Sequence, residues 1–162
     1  NCMLHLSAQS LTKDNKIKYP NLLLYWVQHL AGCAIGLDLQ TRVVGSDTVI
    51  EIAPIAQAEA LAQLKILIES WQLGMQYPLP VACKTAFAWL SAAPDKALDA
   101  AQSAYEGDDW NRGEVDYDAY LGRFFPSFIS LTPETASEGF VAWADTLYQS
   151  AFTQIKLQGA PA

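Results

Sequence analysis

The sequence is short of charge, and short of the residues that carry chemistry. Charged residues make up 17% of the chain against 51% apolar, a globular balance that is low in charge for a free-standing soluble domain, so part of the apolar surface is expected to meet a partner. Lys and Arg number only 10 against 17 Asp and Glu, a net charge of −7. Such a field excludes a domain that grips a phosphate backbone through its overall charge, and confines DNA contact to a local patch. The cysteines, Cys2, Cys33 and Cys83, are few and widely spaced, with no CxxC pair. That excludes a disulfide framework, gives no zinc-ligand spacing, and fits a reducing compartment. No run reaches the roughly 18 apolar residues of a membrane span, and the amino terminus lacks a signal-peptide layout. A cytoplasmic protein without membrane contact is expected.

Catalytic signatures are missing as well. The chain has no GxSxG, no HExxH, no GxGxxG and no Walker loop, so hydrolysis by a nucleophile or zinc and nucleotide binding find no support, and no cofactor is expected. His5 and His29 are the only histidines, and neither has a carboxylate or Cys at a metal-ligand spacing. By pattern His5 falls on the polar face of a strand and His29 lies beside the apolar stripe of a helix, which predicts surface or core-edge positions. The acidic stretch from Glu106 to Asp118 imitates an EF-hand in having Gly113 sixth from Asp108. Trp110 and Arg112 stand where oxygen ligands are required, however, and Ala119 replaces the bidentate Glu. It reads as a solvated loop, or one that meets a basic partner.

What is present is alternation and helical period. Cys2, Leu4, Leu6 and Ala8 alternate with Met3, His5, Ser7 and Gln9, as in a half-buried strand. After a polar loop from Thr12 to Lys18, Pro20 opens a helix carrying Leu23, Trp26, Val27, Leu30 and Ala34, ended by Gly36. Thr41–Val44 and Val49–Ile52 flank Gly45-Ser46-Asp47-Thr48 as a hairpin. A long helix follows from Ala56, marked by the run Leu61, Leu64, Ile68 and Trp71, and stops near Gly74 and Pro78-Leu79-Pro80. Short helices are predicted over Lys84–Leu90, Pro94–Tyr105 and Asp116–Phe125. Thr132-Pro133-Glu134 starts a last helix with Phe140, Ala144, Leu147, Ala151 and Ile155 on one face. The length suits a single domain over residues 1–162, and an opening without Met reads as the carboxy-terminal piece of a larger subunit.

Three stretches, in order and across nearly the whole chain, resemble the carboxy-terminal domain of RecC, the gamma subunit of bacterial exodeoxyribonuclease V. They are Leu24-Tyr25-Trp26-Val27-Gln28-His29-Leu30 with Ala34-Ile35-Gly36, then Leu64 to Ile68 with Gly74-Met75-Gln76-Tyr77-Pro78-Leu79-Pro80. The third is the most particular: Tyr105-Glu106-Gly107, Arg112-Gly113-Glu114 and Tyr120-Leu121-Gly122-Arg123-Phe124-Phe125-Pro126. The resemblance implies a helicase-nuclease complex in which RecB and RecD are the motors and RecB carries the nuclease. It also implies an α/β, helix-rich core of PD-(D/E)xK nuclease type without its active residues, with a small sheet and hairpin packed by several helices. The implied work is structural: helping to split the duplex, guiding the separated strands and holding RecD.

The residues can be asked whether nuclease chemistry is absent. It needs an acid, then a second acid two residues before a Lys on a neighbouring strand, so that carboxylates hold Mg²⁺ and Lys supports the attacking water. Asp47 and Glu51 are suitably placed on the hairpin, but Ala53 stands where the Lys belongs, and the only acid-x-Lys, Asp14-Asn15-Lys16, lies in a polar loop. The chain is therefore expected not to be an enzyme by itself. The alternative is a divalent-metal-dependent nuclease with a non-standard site, built from Asp47, Glu51 and a distant Lys, and a third reading is an unrelated protein-binding adaptor. For the structural role, the candidate partner interface is Trp110, Tyr117, Tyr120, Phe124 and Phe125 beside the acidic loop, and the candidate weak DNA contacts are Lys13, Lys16 and Lys18.

Overall fold

A computed structural model describes residues 1–108, 110–132 and 139–159. The architecture is α/β and helix-rich, with a small mixed sheet, and it divides into two compact units. One is formed by Asn1–Glu69 with Ser150–Ala162, the other by Ser70–Gln149.

The first unit holds strands β1 (Cys2–Leu6), β2 (Thr12–Lys13), β3 (Lys16–Ile17), β4 (Gln40–Val44), β5 (Val49–Ile52) and β6 (Ile155–Leu157), with helix α1 (Leu23–Ala34) and most of α2 (Gln57–Gly74). The main sheet runs β1-β4-β5-β6. β1 pairs parallel with β4 across the α1 crossover, and the other neighbours are antiparallel. A 3-10 turn at Tyr19–Leu22, with Pro20 inside it, leads into α1, and Gly36 at φ 86° follows its end. The α1 residues Trp26, Leu30 and Cys33 meet Val43, Ile50, Ile52 and Ile155 of the sheet in one buried core.

Two faces depart from the pattern. In β1 it is Met3 and His5 that turn inward, while Leu4 and Leu6 stand in solvent, Leu6 78% exposed. The parallel pairing with β4 sets this face: Met3 stands opposite buried Thr41 and His5 opposite buried Val43. His5 packs its ring 4.7 Å from that of Tyr25 on α1. In α2 the inward residues are Ala60, Leu64 and Leu67, at three- and four-residue steps. Of the residues whose spacing marks this helix, only Leu64 is among them; Leu61 and Ile68 are exposed, and Trp71 is 65% exposed. This helix is apolar on two sides, so its period alone does not say which side the core takes.

The second unit is helical: α3 (Cys83–Ser91), α4 (Ala97–Glu106), α5 (Ala119–Phe124) and most of α6 (Phe140–Gln154). Ala86 of α3 and Ala101 of α4 are fully buried, small enough for their helices to approach closely. Tyr105, Phe128 and Phe140 fill the rest of this core, with ring centroids 6.3 Å apart for Tyr105 and Phe128 and 5.4 Å for Phe128 and Phe140. The predicted start of the last helix at Thr132-Pro133-Glu134 falls largely on residues 133–138, outside those described. Its stripe holds in the main: Phe140, Ala144, Ala151 and Ile155 are buried and Leu147 is half-buried, although the chain leaves the helix at Gln154 and Ile155 belongs to β6.

Candidate functional site

Among its described residues, the acidic stretch is a locally hydrogen-bonded loop. The Asp108 carboxylate accepts the backbone N–H groups of Trp110 at 2.8 Å and Asn111 at 2.7 Å, bonds that hold its pKa below the usual range. Gly107, at φ 78°, forms a bridge with Arg112. Gly113 is buried so tightly against the Tyr105 and Glu106 backbone that no Cβ fits. Glu114 then reaches the start of α3, accepting from the backbone N–H of Lys84 at 3.0 Å and of Thr85 at 2.8 Å, and from the Thr85 hydroxyl at 2.9 Å. It acts as a long-range cap for a helix whose own N-cap, Ala82, has no side-chain acceptor. Glu106 in turn accepts the Phe128 N–H at 2.8 Å, and the Tyr105 hydroxyl donates to the Phe125 carbonyl at 2.5 Å. The particular residues of this stretch thus staple the second unit.

Beyond the loop, Asp118 caps α5 by accepting from the N–H groups of Tyr120 and Leu121 at 2.9 and 3.2 Å. The short helix presents Tyr120 at 79% exposure and Phe124 at 54% on the wall of a cleft of about 170 Å³. Pro78, Leu79, Leu121, Phe125 and Asp118 complete the lining. Of the five predicted interface aromatics, the structure brings Tyr120, Phe124 and Phe125 together here. Phe125 also packs on the core, so its ring belongs partly to the fold. Tyr117, exposed, lies under Lys84 Nζ at 5.1 Å, and Trp110, 92% exposed, sits on the loop; neither lines the cleft. Pro78 and Leu79, part of Pro78-Leu79-Pro80, line the cleft although they are not among the predicted interface residues.

The basic candidates are also divided. Asp14 and Asn15 at φ 51° and 60° make the two-residue turn of the β2–β3 hairpin, structure where the sequence suggested only a polar loop. The turn sets Lys13 directly opposite Lys16. Lys18 instead donates to the Ser10 hydroxyl at 3.2 Å.

Both hairpin acids are engaged. The Asp47 carboxylate accepts four hydrogen bonds: from the Leu11 and Thr12 N–H groups at 2.8 and 2.9 Å, and from the Thr12 and Ser10 hydroxyls at 2.5 and 2.9 Å. These donors, the Thr12 hydroxyl first, hold its pKa far below the ordinary carboxylate range. Glu51 pairs with Arg42 on the neighbouring strand at 2.9 Å. His29 is fully buried, which corrects its expected core-edge position. Its Nδ1 lies 2.9 Å from the Thr41 hydroxyl and its Nε2 3.6 Å from Cys33 Sγ, and burial lowers its pKa. In the second unit, burial and then the Glu114 charge push the Cys83 thiol up to about 12, leaving it protonated and unreactive. Among the described residues, no three His, Cys, Asp or Glu side chains gather in a metal-binding group, and no helix is long and apolar enough to cross a membrane.

These features define an α/β module whose hairpin and loop acids Asp47, Glu51, Asp108 and Glu114 are engaged by nearby donors, beside an exposed apolar cleft. Residues 2–94 match the model of the RecC C-terminal domain family, and the chain belongs to that family. It is similar to the RecBCD enzyme subunit RecC of Escherichia coli (strain K12), with 34% identity over 125 residues. The match covers 68% of this chain and 11% of that protein.

Proposed function

We propose that this domain is a non-catalytic structural module of a RecBCD-type helicase-nuclease complex in double-strand break repair, where it holds RecB and RecD and helps guide the separated DNA strands in the cytoplasm. Its core is read as an inactive PD-(D/E)xK-like one. The observation that carries the reading is the employment of Asp47: an acid that latches Ser10, Leu11 and Thr12 through four hydrogen bonds has few lone pairs left for a metal ion. Glu51 is matched by Arg42, and Ala53 occupies the Lys position. The exposed Tyr120 and Phe124 beside an acidic loop support the holding role, since aromatic anchors in a pocket carry much of an interface's affinity.

One observation favours the second reading, a metal-dependent nuclease. Lys156 of β6 stands opposite Glu51 in register, a Lys from elsewhere in the chain. Incubating the full chain with linear DNA and Mg²⁺ or Mn²⁺ separates the two. No degradation is expected, whereas cleavage lost together in Asp47→Asn and Lys156→Ala would establish the nuclease. The docking role is tested by co-purification of RecB and RecD with Tyr120→Asp and Phe124→Asp variants of unchanged melting temperature. Loss of RecD is expected, and its full retention in both variants rejects the role.

A further inference from the structure

The acids and bases are unevenly divided between the two units. Asn1–Glu69 with Ser150–Ala162 carries 6 acidic and 6 basic residues and is neutral, while Ser70–Gln149 carries 11 acidic residues against Lys84, Lys96, Arg112 and Arg123. The net charge of −7 therefore lies wholly in the unit that holds the cleft. The ion pairs found among the described residues, Arg42 with Glu51 and Lys65 with Glu69, both lie in the neutral unit. In the acidic unit Glu114, Asp116 and Asp118 accept backbone hydrogen bonds instead, which satisfies their lone pairs without cancelling their charge.

We infer that the cleft beside α5 takes a basic amphipathic protein segment, one large apolar side chain entering among Leu79, Leu121 and Phe124 while lysines or arginines lie against the acids around it. The inference rests on the docking role proposed above and adds the chemistry of what docks. Asp118 lines the cleft itself, and the turn carrying Glu114 and Asp116 packs on α5, so an apolar wall and a rim in which acids outnumber the basic Arg123 and Lys84 share one unit. An anionic partner, nucleic acid included, would meet repulsion there, and an uncharged apolar one would leave the rim acids without counter-charge. Acids around an apolar anchor site also fix which segment docks, because like charges placed opposite one another are unfavourable.

The test is fluorescence anisotropy on the full chain with three labelled peptides of equal length, built from Lys and Leu, from Glu and Leu, and from Lys and Ser. Only the Lys–Leu peptide is expected to saturate, and its affinity to fall several-fold between about 50 and about 300 mM salt. Phe124→Ser, at an exposed position, should weaken binding about tenfold. The double variant Asp116→Asn with Asp118→Asn keeps the capping oxygens and should weaken binding at low salt but not at high salt. Absence of binding by the Lys–Leu peptide, equal binding of either control peptide, or indifference to Phe124→Ser at unchanged melting temperature overturns the inference. Co-purification keeps the two ideas apart. Partner loss in Phe124→Asp without peptide binding leaves docking standing and sinks the basic segment, whereas peptide binding with all partners retained does the reverse.

Discussion

At the scale of single residues, His29 shows how burial becomes a pH response. Its ordinary pKa of 6.5 is lowered by desolvation, with a hydrogen bond at the Ala53 backbone opposing the shift. Above about pH 6.5 the imidazole is neutral in both folded and unfolded chains, and stability is indifferent to it. Below that value the unfolded chain takes up a proton that the buried ring resists, so the unfolded state binds more protons and stability falls with pH until the folded pKa is passed. Melting temperatures measured from about pH 7 down to about pH 5 should therefore decline, with a shallower decline in His29→Gln. An identical slope in both proteins would show that His29 is not the responsible group. Asp47 responds at more acid pH: with a depressed folded pKa, its contribution is complete above the ordinary 3.8 and is lost as pH falls below it. The sequence did not reveal these two roles because the partners are remote, 12 residues from His29 to Thr41 and 36 from Leu11 to Asp47. A residue's neighbours along the chain decide its face; its neighbours in space decide its chemistry.

At the scale of elements, α3 depends on a carboxylate supplied from another segment. Glu114 satisfies two of the backbone donors that a helix start leaves open and places a negative charge at the positive end of the dipole. Glu114→Ala should cost about 1 to 2 kcal/mol of stability, the scale of a lost cap, with Glu114→Gln restoring part of it. Urea denaturation of the three proteins would check this, and equal midpoints would show the cap to be dispensable. Legibility was uneven at this scale. The hairpin of β4 and β5 was plain because each strand alternates and the turn is Gly45-Ser46-Asp47-Thr48. The α1 helix was plain because its apolar period, its Pro and its terminal Gly agree. The inward face of α2 was not, since two apolar stripes compete along it, and β6 was not, since three residues are too few to show a period.

At the scale of the whole molecule, the charge partition limits what nucleic acid can do here. Lys13 and Lys16 form a positive pair on the neutral unit, while Lys18 is held by Ser10. Two lysines neutralise at most two phosphates, so duplex DNA should bind weakly, with a slope of log affinity against log salt near about −2. Lys13→Ala with Lys16→Ala should remove that slope. Submicromolar affinity at physiological salt, or a much steeper slope, would show that a larger basic surface had been overlooked. The composition disclosed the acidic excess but not its location, because the boundaries at Glu69 and Ser150 fall within α2 and α6 rather than at a linker.

The pairing of β5 with β6 joins residues about a hundred positions apart, Ile52 with Ile155, and that distance governs when the sheet can be completed. During synthesis β1, β4 and β5 emerge early, yet β5 keeps one edge unpaired until Lys156 has left the ribosome. Ser70–Gln149 is contiguous and has all its segments available sooner. Loop-closure entropy favours the early helical contacts and delays the late strand, so the sheet closes last. For that interval the nascent chain carries an open strand edge flanked by Val49 and Ile50, the kind of edge that pairs with the wrong neighbour.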